Sequence, residues 1–551
     1  MSLRHRSYEL LPALSVRKAE LRRSLRLVTA AWGFGIIWMT CLSGSWMNSF
    51  QRMLGFNDFH FGLYQALPFL ATFANLASTI FIERTGLRKH LFIAVVGVAR
   101  MLWVLVAAIL LLMAGTAAAK WLVLATLMVI GTLSALGMPA WFTWMGDLIP
   151  RRIRGRFLAR RQQVTRLLQF PVAITLAIVI DHVIDRSLPF TPEAQPRLLW
   201  ALAGLFAAAA VFGTIDVLIF LRIREVRPTT PDEPRRPAVE IRVAPADRRG
   251  PLAAIGHAGR YLVAVVRQLL IEPMKDRVFR RYVLFGQTAT FAMAVGGPFY
   301  IRNMRENLGF SHIAVSVIFM ILGPLLSILA VKQWGKLIDR WGRRPTLMVA
   351  MALAAFGAVP YFFASRFTPD PPFVADAVNW LSRHAGRLVG QGSWQLIPPG
   401  APVGAWMICS ATIFFGFVGW SGVMLGQQGI ILGFSDSHGR SKYVAAHAVL
   451  LGVGGMVGGV VGGLLARTIA QASWYHPVQL GAYLEWNHWH ATFAMSTLAR
   501  LAAFLLLIGM PDPGARRTRD MIRTLGGEMI HFATARLFYP WRLLRPRRRS
   551  R

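Results

Sequence analysis

Two short charged sequences between apolar runs are where this chain could do chemistry. Gly335-Lys336-Leu337-Ile338-Asp339-Arg340-Trp341-Gly342-Arg343-Arg344-Pro345 stands in the second half, and Ile82-Glu83-Arg84-Thr85-Gly86-Leu87-Arg88-Lys89 at the matching place in the first. Each presents an acid, a basic residue, a glycine and further basic residues, in that order. The chemistry this allows is electrostatic, not covalent. A carboxylate at a helix end beside a membrane needs a partner. The unpaired N–H groups and dipole at the start of a neighbouring helix supply one. Glycine lets helices approach closely, and basic side chains can meet lipid phosphate at the membrane surface.

A second set of charges is embedded in apolar sequence. Arg100 falls near the middle of the third apolar run, Arg500 near the middle of the twelfth, and Asp216 in the sixth. A lone charge at such depth costs about 2.5–3.5 kcal/mol or more, so each should have a partner. We expect Arg100 and Arg500 to hold their own bundles together through carbonyls or acids, with Asp216 a candidate for Arg100. Asp147 precedes an arginine cluster and reads as a loop ion pair, while Asp181 and His182 could carry a proton. His488 and His490, beside Trp486 and Trp489, read as an interfacial belt in preference to a metal site. No nucleotide-cradling loop, metal-ligand spacing or nucleophile elbow is present, and no cofactor is expected.

The elements that would position these residues are membrane helices. The 551 residues are 55% hydrophobic, and the excess gathers in runs of about 20, the length that crosses a bilayer. We read about twelve spans, near 27–47, 61–81, 91–113, 121–144, 164–183 and 199–221, then 283–301, 313–331, 346–364, 403–427, 444–466 and 490–510. The formal charge of +36 is not that of a nucleic-acid binder. Its arginines fall between alternate spans and in the termini, which is the positive-inside pattern, with anionic lipid as partner. Both termini are then cytoplasmic. The expected divisions are a tail at 1–26, a six-helix bundle at 27–222, a linker with an amphipathic interfacial helix at 223–281, a second bundle at 282–510 and a basic tail at 511–551. Cys41 and Cys409 lie within apolar runs, which argues against a disulfide framework.

The halves repeat further landmarks. Leu54-Gly55-Phe56 precedes span two and Leu308-Gly309-Phe310 precedes span eight; Arg154-x-Arg156-Phe157 precedes span five and Arg440-x-Lys442-Tyr443 span eleven. Span eleven carries Gly454, Gly455, Gly458, Gly459, Gly462 and Gly463, two glycine rows on adjoining faces that suit helix packing or a sliding contact between halves.

With its signature loop after spans two and eight, the chain resembles the major facilitator superfamily. The fold class expected is all-α: twelve transmembrane helices in two pseudo-symmetric six-helix bundles. The second loop matches that family's pattern almost completely. The first departs from it at Thr79, Glu83 and Leu87. The resemblance implies an inner gate of Gly335, Asp339, Arg340, Gly342 and Arg343, with Glu83, Arg84, Gly86 and Arg88 as a weaker counterpart. It also implies that Asp339 faces the start of span five (Arg154, Arg156) and Glu83 the start of span eleven (Arg440, Lys442).

The resemblance further places spans one, four, seven and ten around a central cavity, with Trp32, Trp38, Trp141, Gln287, Trp420 and Gln427 as lining candidates. An aromatic surface with few polar groups suits a lipophilic or amphipathic small molecule, although each aromatic could instead pack helices. The expected protein is a monomeric secondary transporter of the bacterial inner membrane, working by rocker-switch alternating access, with or without a coupling proton. The alternative is a transport-inactive relative serving as assembly factor, receptor or scaffold.

Overall fold

The structure is a computed structural model that describes residues 18–85, 87–149, 151–185, 187–223, 225, 264, 266–374, 376–377, 379–380, 384, 402–434, 440–512 and 515–524. The first half contains α1 (Lys18–Cys41), the short α2 (Trp46–Met53), α3 (Asp58–Ala71), α4 (Ala74–Thr85), α5 (Arg88–Met113), α6 (Ala117–Leu148), α7 (Arg151–Val183) and α8 (Pro196–Ile219). The second contains α9 (Arg277–Arg302), α10 (His312–Trp341), α11 (Arg343–Phe363), α12 (Val403–Thr412 continuing through a π turn into Gly419–Phe434), α13 (Arg440–Gln471) and α14 (Trp489–Leu506). Helices stand at all twelve expected places, and among the described residues eight are long and apolar enough to cross a membrane. Among the described residues the one exception to the all-α class is a two-stranded antiparallel pair, β1 (Val478–Gln479) with β2 (Glu485–Trp486), in the loop before α14.

Several boundaries differ from the sequence reading, each for a physical reason. Span two is broken: the helix stops at Ala71 and restarts at Ala74. There the Thr72 and Phe73 N–H groups turn to the carbonyls three residues back, and the Thr72 hydroxyl donates to the Phe69 carbonyl at 2.6 Å, in competition with the helix ladder. Residues 18–26 are not tail but the first turns of α1, and the arginine run from Arg151 opens α7. Long basic side chains favour helix and carry their charge beyond the apolar layer. Most of the expected interfacial helix lies outside the described residues, and its end is a π turn at Arg267–Ile271. The beginning of the C-terminal tail packs back onto the second half, where the Arg516 N–H reaches the Trp341 carbonyl at 3.0 Å.

The hydrophobic core is not uniform along the membrane normal. At one end a single cluster runs through both halves, joining Trp46, Phe50 and Phe206 to Phe299, Phe310 and Phe493. At the other end it divides. One cluster belongs to the first half (Val28, Phe92, Trp144, Phe220) and a separate one to the second (Phe279, Tyr282, Leu347, Met351). The divided end carries Arg88, Lys89, Arg281 and Arg340–Arg344; we call it the basic end, and the other the joined end.

Candidate functional site

Two repeat landmarks build the joined end. Gly55 and Gly309 take φ +68° and +69°, a left-handed turn that glycine adopts without cost, and each turn delivers the chain into a capped helix. Asn57 accepts the His60 N–H to cap α3, and Ser311 accepts the Ala314 N–H to cap α10. The next residue in each repeat, Asp58 or His312, is thereby placed at a helix start facing the opposite half. Asp58 Oδ1 accepts Arg302 Nη1 at 2.6 Å and Trp489 Nε1 at 2.9 Å, and His488 Nε2 lies 3.4 Å from Oδ2. Arg302 also donates to Glu306 at 3.1 Å, and Glu306 accepts Asn48 Nδ2 at 3.2 Å.

His312 forms the companion contact. Its Nδ1 is 2.7 Å from Ser45 Oγ, and its Nε2 is 3.0 Å from Ser49 Oγ and 2.9 Å from Arg305 Nη2. Arginine can only donate, so Nε2 is the acceptor and Nδ1 carries the proton toward Ser45. The Asp181 carboxylate, at the end of α7, accepts the backbone N–H groups of His312 and Ile313 at 2.9 Å each. An acid of one half thus caps a helix of the other and meets the positive end of its dipole.

The glycine rows of α13 serve both partners at once. A Cβ on Gly458 would come 2.6 Å from the Phe291 carbonyl of α9, in the same half; one on Gly459 would come 2.8 Å from the Gly62 carbonyl of α3, in the other half. One row seals the second bundle, and the other lets the halves touch backbone to backbone. This contact runs along α3 as far as Thr72; beyond it α4 packs mainly on α6 of its own half and keeps a smaller contact with α13.

The basic end holds the signature loop. Gly342 (φ +98°) separates α10 from α11, and Asp512 Oδ2 accepts the Arg344 N–H at 2.8 Å. Asp339 is exposed and forms no hydrogen bond or ion pair among the described residues; it lines a cleft of about 740 Å³ with Asp276, Tyr282, Arg340, Arg343 and Asp512. A Cβ on Gly335 would meet nothing within 4 Å, so no helix presses on it in this conformation. Arg88 lies 3.7 Å from Glu225. Gly86 and the side chains of Glu83, Arg84, Asp147, Arg154, Arg156, Arg440 and Lys442 lie outside the described residues, and with them the expected pairings across the gate. Residues 83 and 339 do share an end, since α3 and α10 both start at the joined end and run away from it.

The cavity candidates take different positions. Trp32 and Trp141 flank the Arg161 guanidinium, 4.5 and 5.1 Å from its carbon. Trp38 instead lies under Arg100, whose guanidinium carbon is 3.2 Å from the ring centre. Gln287 ties α9 to α13 by donating to the Leu450 carbonyl at 2.9 Å, and Trp420 Nε1 points at Met293 Sδ, 3.1 Å away. Gln427 is buried and its carbonyl accepts the Tyr282 hydroxyl at 2.9 Å.

Of the embedded charges, Arg100 lies 3.7 Å from Asp216. Gly213 leaves the slot for that arrangement, since a Cβ there would come 2.8 Å from Arg100 Cδ. Arg500 donates to the Ala354 carbonyl at 2.9 Å. The histidines of the proposed belt have specific partners: His488 reaches Asp58, and His490 Nε2 reaches the Tyr361 carbonyl at 3.2 Å. Sequence reasoning missed Asp58, Arg302, Glu306 and His312. Their signal was the repeated landmark, because Asp58 and His312 each follow it by the same two positions.

The sequence profile of the Major Facilitator Superfamily matches residues 100–378. No curated protein matches the chain. Among solved structures, a D-xylose-proton symporter is similar at 13% identity and TM-score 0.54, covering 90% of this chain and 99% of that one. A point mutant of the nucleoside transporter NupG is similar at 10% identity and TM-score 0.53, covering 89% and 99%. The xylose transporter XylE from E. coli in its inward open conformation is similar at 12% identity and TM-score 0.53, covering 92% and 99%.

Proposed function

We propose a transport cycle from one premise: this chain belongs to the Major Facilitator Superfamily, and its fold is that of a membrane transporter, not an enzyme. The division of the core carries the reading. One cluster crosses both halves at the joined end and two separate clusters face each other at the basic end. A protein whose halves are sealed at one end and parted at the other is a natural intermediate of alternating access. By the positive-inside rule the basic end faces the cytoplasm, and so do the termini. The conformation is then inward-open, like the XylE structure it resembles in fold.

In this reading the Asp58–Arg302 and Asp181–His312 contacts form the outer latch. The signature loop around Asp339 forms the inner one, which closes when the outer latch opens. The solute is a small amphipathic molecule, bound near the middle of the membrane. The working unit is one chain in a bacterial inner membrane, with anionic lipid around its arginines. A coupling proton is compatible with the titratable latch residues.

Asp339→Asn tests the assignment in proteoliposomes. Because Asp339 has no partner among the described residues, the variant should fold normally and bind solute from the basic end as the parent does. Its flux should fall roughly tenfold or more, since a lost charge-assisted contact in the opposite conformation amounts to about 1.5–3 kcal/mol. Unchanged flux would remove Asp339 from the cycle.

A further inference from the structure

Arg161 stands on the basic-end half of α7, with its guanidinium between the indoles of Trp32 from α1 and Trp141 from α6. Its Nε is buried without a hydrogen-bond partner, and the residue forms no ion pair among the described residues. The carboxylate whose charge it feels through space is Asp216, and Asp216 lies 3.7 Å from Arg100. Two guanidinium groups therefore share one acid. Among the described residues one positive charge inside the first half then has no acid of its own, and at membrane depth such a charge calls for a counter-ion.

Space for one lies alongside. A cleft of about 790 Å³ opens between α1 and α7, lined by Arg161, Arg26 and Thr29 and by the apolar Phe34, Ile37 and Leu168 among others, with no acid among the described lining residues. It shares Arg26 with an adjoining hollow of about 450 Å³ that Arg22 and Arg23 also line. The arrangement runs from a mouth with three arginines, through apolar walls, to a fourth arginine held flat between two tryptophans.

We propose that this cleft binds an amphipathic organic anion, its carboxylate or phosphate on Arg161 and its apolar body against Phe34, Ile37 and Leu168. A planar guanidinium matches either head group with two parallel N–H donors, and the stacked indoles hold that plane in place while leaving its N–H edge for a ligand. The repeat provides an internal control. His447 follows Tyr443 by the same four positions as Arg161 follows Phe157, yet its Nε2 is already engaged by the Tyr282 hydroxyl at 2.9 Å. At this matched position the unengaged charge is the first half's.

This names the solute class of the transport reading and rests on that reading for calling the ligand a solute; a single-chain anionic lipid offers the same chemistry. The test is thermal unfolding of the purified full chain in lipid nanodiscs of neutral phosphatidylcholine. One arm adds 4-phenylbutyrate against its neutral counterpart 4-phenylbutanol. The other adds dodecanoyl lysophosphatidate against the zwitterionic lysophosphatidylcholine. We expect an anion to raise Tm by roughly 2 °C or more and its uncharged or zwitterionic counterpart to do less. A shift from 4-phenylbutyrate assigns a soluble solute, one from the lysophosphatidate alone a lipid.

Arg161→Gln should abolish the shift and Arg161→Lys retain part of it. Gly33→Leu, which fills the cleft without touching a charge, should abolish it even if Arg161→Gln fails to fold. No shift from either anion, equal shifts from the neutral counterparts, or an undiminished shift in Gly33→Leu would overturn the assignment. None of those results bears on alternating access, which is read from distances between the halves.

Discussion

At the joined end, Asp58 and His312 reach across to Arg302 and Ser45 over one continuous apolar core. At the basic end, Asp339 has no partner among the described residues and the core is split in two. The two ends use the same parts. The sequence leads one to expect an acid capping a helix of the opposite half at Asp339, facing span five. The structure holds such a contact 2.9 Å long at the other end, from Asp181 of span five to the start of span eight. A helix start at a bundle seam is an electrostatic socket, and at the joined end Asp181 fills one.

The first way to break this comparison is to separate the two glycine rows of α13. Gly458→Leu drives a side chain into α9 of its own half and should cut folded yield at least roughly tenfold, since overpacking a seam costs about 1–3 kcal/mol or more. Gly459→Leu presses instead on α3 of the other half. It should leave folded yield closer to the parent but push the population away from the joined-end-closed state. Size-exclusion profiles and expression levels read the first effect, and label distances the second. Equal loss from both would mean that the seam between halves is as permanent as the seam within one.

A smaller effect is expected from Asp181→Ala, which leaves the His312 and Ile313 N–H groups uncapped. Removing a cap costs about 0.5–2 kcal/mol, so the closed-to-open ratio should fall by roughly 2- to 30-fold. This is measurable as faster labelling by a membrane-impermeant maleimide of a cysteine placed at Ser49, which is buried against His312 at the seam. Native Cys41 and Cys409 are buried and should stay silent. Asp58→Asn should do less than Asp181→Ala, because Arg302 keeps Glu306 at 3.1 Å. The least effect belongs to Arg366→Ala. It breaks a 2.7 Å pair with Glu485 whose arginine side chain is 56% exposed, lies within one half, and is worth about 0–1 kcal/mol; a clear change in labelling there would deny the latch its specificity.

Much of the scaffold was legible in the sequence because hydropathy and loop charge follow from the bilayer. The helix positions, the repeat landmarks and the Arg100–Asp216 proximity all came from that logic. The break in span two was not: Pro68 lies inside α3 before the break, and Pro139 and Pro171 lie inside helices that run on unbroken. The latch was legible only in part: the repeated landmark marks Asp58 and His312, whereas Arg302 and His488 are distant from them in sequence and meet them only once the bundles dock. Trp38 and Trp141 also show the limit. Both sit on spans expected around the cavity, yet one packs under Arg100 and the other beside Arg161, a difference set by helix rotation that periodicity of nearly all-apolar segments does not encode.

The most direct measurement is a pair of spin-label distances in nanodiscs, one across each end. Cysteines at Thr85 and Lys336 report the basic end, and at Leu188 and Tyr483 the joined end. The account predicts two populations at each end that move in opposition, with Asp181→Ala lengthening the 188–483 distance and shortening the 85–336 distance. If breaking the Asp181 contact opens the joined end while the basic-end distance stays fixed, the two ends are not coupled and the proposed cycle is wrong.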